Sequence, residues 1–475
     1  MVSFLVYDLV LLVLFVIFVS IFLHKNSSNL KREGLLILYR AAWGIKLIDY
    51  VGNKYRRTLK FLSYVSITVG YILMGAMLYF LGKIVWIYAF NADLVRAIKV
   101  PPIIPLVPYL PQVFKLDFLP DFYFIYWIVI LAIIAITHEF AHGIFAAYSK
   151  IKVKTTGFGF FPYFLPVFLA AFVELDEEKM AKHRKFDQLV ILSAGTFANV
   201  LTAILFLFVF WGFFSLAFVP TGVQFDSYAY GIVPLASITM VNGINLDNPG
   251  YSQIAELIGE EGYSEVEVGD FNYIINKDFF DPQEGRELLL LYSDAPAIRV
   301  DMGEIITSIN GEGVLSRESL SMELEKYSVG ESINIVSLKD GESIKQEIVL
   351  GVHPEDSEKP WLGIMFLNKE GTGVLGKVTS WFTSFKDPYV HYEPKWENFS
   401  LPIYNLLWWL ILISISVALV NMLPVGIFDG GRFFYLTVWG ITKNEKIAKK
   451  AFSFMTYLFL LIIAILMIFW AISFF

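Results

Sequence analysis

Six stretches of the chain, at about residues 5 to 23, 62 to 90, 121 to 149, 187 to 217, 402 to 422 and 451 to 474, stay apolar over the roughly 17 to 25 residues needed to cross a bilayer. Inside lipid there is no water to satisfy a backbone N–H or C=O, so stretches of this kind are expected to be helices. The chain is therefore expected to be a polytopic α-helical membrane protein with about six transmembrane helices. Its composition agrees: 56% of the residues are hydrophobic and 17% charged, against roughly 25% charged in soluble domains. The first stretch has no basic residues before it and no small-residue cleavage site, so it reads as a retained span rather than a signal peptide.

Charge orients the spans. Nine basic residues lie from Lys25 to Lys60, between the first two spans, and basic loops favour the cytoplasmic side. Counting spans forward puts the clusters at Lys150 to Lys185 and Lys443 to Lys450 on that side as well, with both termini outside. Residues 33 to 51, where Leu36, Leu38, Ile45 and Ile48 surround Arg40 and Lys46, read as an interfacial amphipathic helix.

Residues 221 to 370 hold 27 acidic and 9 basic residues, which leaves the rest of a chain of net charge −7 with eleven surplus positive charges. This acidic segment is expected to be an external α+β insertion. No basic stripe is available for phosphate contacts, so nucleic acid is excluded as a partner. Within it, Ile238 to Gly243 is echoed by Ile306 to Gly311: in each, an apolar strand runs into Asn-Gly, a strong tight-turn signal. Two modules follow, at about 221–285 and 286–370, next to a linker at 371–400. The membrane part is divided into 1–61, 62–220 and 401–475.

The chemistry is concentrated in Thr137-His138-Glu139-Phe140-Ala141-His142 inside the third apolar stretch. On a helix, positions i and i+4 share a face, so His138 and His142 can bind one metal ion with Glu139 beside it as a general base. Ionisable groups within a span are costly and by default mark function. His138 lies roughly 25 Å from the outer end of its span at about 1.5 Å per residue, which puts the site nearer the cytoplasm. A catalytic zinc site usually has three protein ligands, and a chain with no Cys must draw the third from His, Asp or Glu. Asp429 is the best candidate, because it follows the fifth stretch within Asn421-Met422-Leu423-Pro424-Val425-Gly426-Ile427-Phe428-Asp429-Gly430-Gly431, at the same depth. An ordinary turn-capping Asp is the alternative.

These motifs resemble those of the site-2 protease family of intramembrane zinc metalloproteases, in its six-span, archaeal-like form with PDZ-like modules. The resemblance covers most of the chain. It implies one Zn2+ per chain, with His138, His142 and Asp429 as ligands and Glu139 as the catalytic acid/base. Thr155 to Phe160 with Ala171 to Glu174 looks like the family's membrane-associated hairpin, and Ser193-Ala194-Gly195 with Asn199 looks like its fourth-span motif. Phe428 and Thr196 stand where the family often has Leu and Pro; neither is a ligand. Asn199, Asn421 and Pro424 are expected to support the substrate or the transition state, with interhelical packing bonds the equal alternative for the two asparagines. Gly157, Phe158 and Gly159, in the stretch Gly157 to Phe161, are expected to offer a strand edge to an unwound substrate. The expected partners are membrane-anchored protein substrates and the lipid bilayer, with the PDZ-like modules filtering what enters. Two other classes compete, a membrane metal transporter and a catalytically silent scaffold, but the spans show no repeat and transport needs no Glu in this spacing.

Overall fold

The computed structural model describes residues 4–33, 36–91, 95, 101–116, 118–160, 169–269, 271–354, 356–369 and 373–472. Among them six helices are long and apolar enough to cross a membrane: Phe4–Lys25, Arg56–Phe90, Phe124–Tyr148, Lys185–Ala217, Ser400–Asn421 and Glu445–Ile472. The chain separates into two compact units, Met1–Phe213 with Leu401–Phe475, and Phe214–Ser400.

In the membrane unit the third, fourth and fifth spans bury 33%, 33% and 39% of their most apolar stretch, against 11% for the first and the sixth. The former three are therefore the inner helices. The third span buries Trp127, Ile130, Ile134, His138, His142 and Phe145, a spacing of three and four that makes one continuous face. Both histidines thus stand on its core side. Small residues let neighbouring backbones approach closely where lipid supplies no hydrophobic drive: Ala146, Ala194 and Ala418 are fully buried in one cluster with Phe145, Ile191, Met422 and Phe433.

The third span has no side-chain cap of its own. Its cap comes from the first span. The Asp8 carboxylate, 3% exposed, accepts the Phe124 N–H at 2.7 Å, the Ile125 N–H at 2.9 Å and the Tyr109 hydroxyl at 2.6 Å. Two orphan donors at a positive helix end thereby meet a negative charge where water cannot replace it.

Four strands form an antiparallel sheet in the same unit: β1 (Leu30–Glu33), β2 (Leu36–Ala41), β3 (Val153–Phe160) and β4 (Leu169–Leu175), in that order. Two expectations change here. Residues 33 to 51 are not one amphipathic helix. Strand β2 pairs with β3, from Ile37 opposite Phe160 to Ala41 opposite Thr156, and Gly44, at φ 80°, starts a separate helix, Ile45–Lys54. That helix keeps an amphipathic face, with Ile48 and Gly52 buried and Leu47 and Tyr50 exposed. The second correction concerns Gly157, Phe158 and Gly159, which do not lie on an edge: they pair with Arg40, Tyr39 and Leu38 on one side and Phe172, Ala171 and Ala170 on the other. Among the described residues the edge strands are β1 and β4. Phe161 lies outside the described residues.

Among the described residues of Phe214–Ser400 two hydrophobic clusters are large, beside a smaller one of Ile274, Ala295 and Ile298. One gathers Val233, Val241, Ile254, Val266 and Leu289; the other gathers Val223, Ile306, Ile333, Ile348 and Leu362. Both Asn-Gly echoes are turns, with Asn242 and Gly243 at φ 49° and 80° and Asn310 and Gly311 at 50° and 91°, the left-handed pair that a two-residue hairpin needs. The boundary near residue 285 is replaced by an insertion. Strand Phe218–Gln224 pairs with Ile305–Ile309 and with Val390–Pro394, while the strands from Tyr230–Pro234 to Leu288–Ser293 form their own sheet. The first module is therefore nested inside the second. Part of the expected linker, 371–400, is also structured, as the helix Gly373–Thr383 and the strand Val390–Pro394.

Replacing Asp8 with Ala strips the cap from the third span. Charge-assisted bonds contribute about 1.5–3 kcal/mol each, so the variant is expected to lose about 3 kcal/mol of stability in thermal unfolding, and Asp8→Asn clearly less. Equal melting of all three proteins would contradict the cap.

Candidate metal centre

His138 and His142 come from the third span; Asp429 opens the helix Asp429–Thr442, eight residues beyond the end of the fifth span at Asn421. Their donor atoms converge. The two Nε2 atoms are 3.0 Å apart, and Asp429 Oδ2 is 3.3 Å from each. Tetrahedral zinc with bonds of about 2.0–2.2 Å separates its ligand atoms by about 3.3 Å, so this triangle fits one face of such a site. The two imidazole side chains are 10% and 11% exposed and the carboxylate 26%, so the opening lies on the Asp429 side. That leaves a fourth position for water or a substrate oxygen.

The turn that brings Asp429 in follows from its sequence. Pro424 ends regular helix, and the irregular backbone is satisfied locally: Val425 N–H donates to Leu423 O at 2.7 Å and Phe428 N–H to Val425 O at 3.0 Å. Gly430 and Gly431 then pack onto that turn. A Cβ on Gly430 would lie 2.3 Å from the Met422 carbonyl carbon, and one on Gly431 would lie 2.3 Å from Val425 O. Only an Asp-Gly-Gly sequence lets the helix start this close.

The fourth span forms the opposite wall. The His142 Nδ1–H donates to Ile191 O at 2.6 Å, which leaves Nε2 as the free donor atom for a cation. Asn199 reaches His138 Nδ1 at 3.0 Å. A His138 that ligates through Nε2 carries its proton on Nδ1, and the Asn199 amide meets it with oxygen after a half-turn. Its Oδ1 is a buried atom that otherwise has no partner. Gly195 completes the cradle: a Cβ there would stand 2.4 Å from His142 Nε2 and 2.5 Å from His138 Nε2. A buried orphan acceptor, a missing methyl and two imidazoles beside a carboxylate together suit a divalent cation.

Glu139 is on the adjacent face, and its Oε2 accepts the Val173 N–H of β4 at 2.9 Å. Of the supporting residues expected from sequence, Asn199 is at the site but engaged with His138. Asn421 faces an apolar cavity, Pro424 is buried in the turn, and Phe158 stacks on Trp43 at 5.5 Å within the sheet. Sequence reasoning missed Val173 and Ile191, because each acts through its backbone and carries no side-chain signature.

The sequence pattern of peptidase family M50 is matched over residues 126–466. A 174-residue segment is 27% identical to the zinc metalloprotease RasP of Shouchella clausii, covering 31% of this chain and 41% of that protein. A 197-residue segment is 32% identical to the uncharacterized protein MJ0971 of Methanocaldococcus jannaschii, covering 40% and 48%. The chain thus spans less than half the length of each of these relatives.

Groups that orient a ligating histidine typically account for 10- to 100-fold in metal affinity. Asn199→Ala is expected to weaken zinc binding by about tenfold in a competition titration with a chelator, and Gly195→Ala by more, since its methyl meets both rings. Wild-type affinity in both variants would remove the fourth span from the metal centre.

Proposed function

The chain belongs to peptidase family M50, and from that premise we propose that it is an intramembrane zinc metalloprotease that hydrolyses peptide bonds within or near the membrane segments of membrane-anchored proteins. The observation that carries this reading is the triangle of His138, His142 and Asp429 with Glu139 beside it. When bound, zinc supplies Lewis acidity that activates a water and polarises a carbonyl. Glu139 would act as the acid/base, holding the water's proton on its carboxylate and passing it to the leaving amine. Ile191 O holds the His142 ring in the ligating tautomer, the Asn199 amide would do the same for His138 once turned to present its Oδ1, and Asp429 lends the negative charge that offsets the cation.

A helical substrate hides its carbonyls in its own hydrogen bonds, so it must unwind, and the freed backbone then needs partners. Strand β4 supplies them in this reading. It is an edge strand, and its Val173 N–H points at Glu139, so a peptide added along it brings its carbonyls to the catalytic carboxylate. This role belongs to β4 and not to Gly157, Phe158 and Gly159 of β3, whose pairing is already complete.

The two nested modules of Phe214–Ser400 act as PDZ-like filters that exclude substrates with bulky external domains. The basic clusters support a topology with both termini and this unit outside and the metal centre nearer the cytoplasm. His138 lies about 21 Å along the third span from Phe124 at about 1.5 Å per residue, which agrees with such a depth.

Purified protein incubated with single-span substrates, with and without a chelator, tests the activity; cleavage that persists after zinc removal would rule it out. Glu139→Gln is expected to keep its zinc and to lose about 10²- to 10⁴-fold in cleavage rate, and an active variant would cancel the acid/base role. The filter is tested separately. The Lys395 N–H and the Ser400 hydroxyl both donate to Ala217 O, so the ends of the outer unit meet and a short linker can replace residues 219–394. That variant should cleave substrates with large external domains which the intact protein leaves whole, whereas unchanged selectivity would refute the filter.

A further inference from the structure

The membrane unit contains an apolar cavity of about 630 Å3, walled by the second, fifth and sixth spans and by residues 101–111. The fifth span is the most buried of the six, yet Leu412, Ser416 and Val420, at i, i+4 and i+8, are exposed and line this space. The cavity follows that helix from Trp409 to Asn421, a length of about 18 Å at about 1.5 Å per residue. Its far end is closed by Phe428, the residue before Asp429.

The walls leave few groups that could bind a polar molecule. Among the described residues no ionisable side chain lines the cavity, and Pro101, Pro102 and Pro105 contribute backbone without N–H. The Trp409 indole is already committed to Asp121 O at 3.1 Å. Of the described polar side chains in the wall, Ser416 and Asn421 remain, both toward the metal end. An unwound peptide along this path would strand its backbone donors and acceptors, which lipid depth penalises heavily. A helix about 10 Å across satisfies its own backbone and is the rival occupant, which the crosslinking below distinguishes. An extended occupant with no hydrogen-bonding groups suits these walls, and the surrounding bilayer is made of such chains.

We propose that this cavity is a binding site for one fatty-acyl chain of a membrane lipid, whose tip packs on Phe428 and steadies the turn that presents Asp429. The site is independent of the hydrolytic reading, since its test counts lipid and not cleavage. Binding from the bilayer gains van der Waals packing rather than hydrophobic transfer, so its loss is read as retention.

The full chain, extracted in detergent and washed exhaustively, is assayed for bound phospholipid by mass spectrometry. Wild type and Ser416→Ala are expected to retain one phospholipid per chain. Ser416→Phe and Val420→Phe, which fill the cavity from one stripe, should retain about fivefold less, the effect of losing roughly ten atomic contacts. Phosphatidylcholine with brominated acyl chains, added back, should quench the Trp409 fluorescence, isolated as the difference from Trp409→Phe, in wild type and not in the filled variants. Equal lipid in wild type and in both filled variants, with unchanged melting, would overturn the site. So would a photoreactive residue introduced at Leu412 that captures a peptide substrate and no lipid.

Discussion

Three donor atoms from two segments almost 300 residues apart in sequence close to within 3.3 Å of one another, and much of the inner membrane unit can be understood as the requirement for that closure. Two imidazoles and a carboxylate brought this close need a cation or costly compensation. The third span holds its histidines one turn apart, the fourth approaches with glycine where any larger residue would collide, and the fifth stops early so that a short turn can deliver the carboxylate. Each wall is made of small residues or of backbone. Close approach is thus both how these helices associate in lipid and what makes room for the metal centre.

The membrane sheet belongs to the same logic. Backbone away from helices is tolerated at membrane depth only when it is paired, and here three pairings order four strands into one surface. Of its two edge strands, β4 turns the Val173 N–H outward to the Glu139 carboxylate. A group that would be an orphan elsewhere is satisfied by a side chain of the neighbouring span.

The spans and the meeting of His138, His142 and Asp429 were legible because their signals are local: long apolar runs, a four-residue histidine spacing and a proline that halts a helix before an aspartate. Partners set by distant pairing were not. The segment around Arg40 carries a helical rhythm in Leu35, Leu38, Tyr39 and Ile45, and the sheet overrides it only because β3 lies alongside. The Gly157 stretch reads as a free edge until β2 and β4 are both in place. Asp8 stands out in an apolar helix, yet nothing near it in sequence announces Phe124 and Ile125 as its ligands. Likewise the echo of Asn242 in Asn310 revealed two modules, but not that one is threaded through the other.

That threading imposes a sequence of events on the growing chain. Strand Phe218–Gln224 leaves the ribosome first, but its neighbour Ile305–Ile309 follows only after about 80 further residues, a delay of several seconds at about 5–20 residues per second. In that interval every strand of the inner sheet, within Tyr230–Ser293, has been made. Pairing of those strands shortens the loose chain between the waiting strand and its late partner, which lowers the entropic cost of closing the outer sheet.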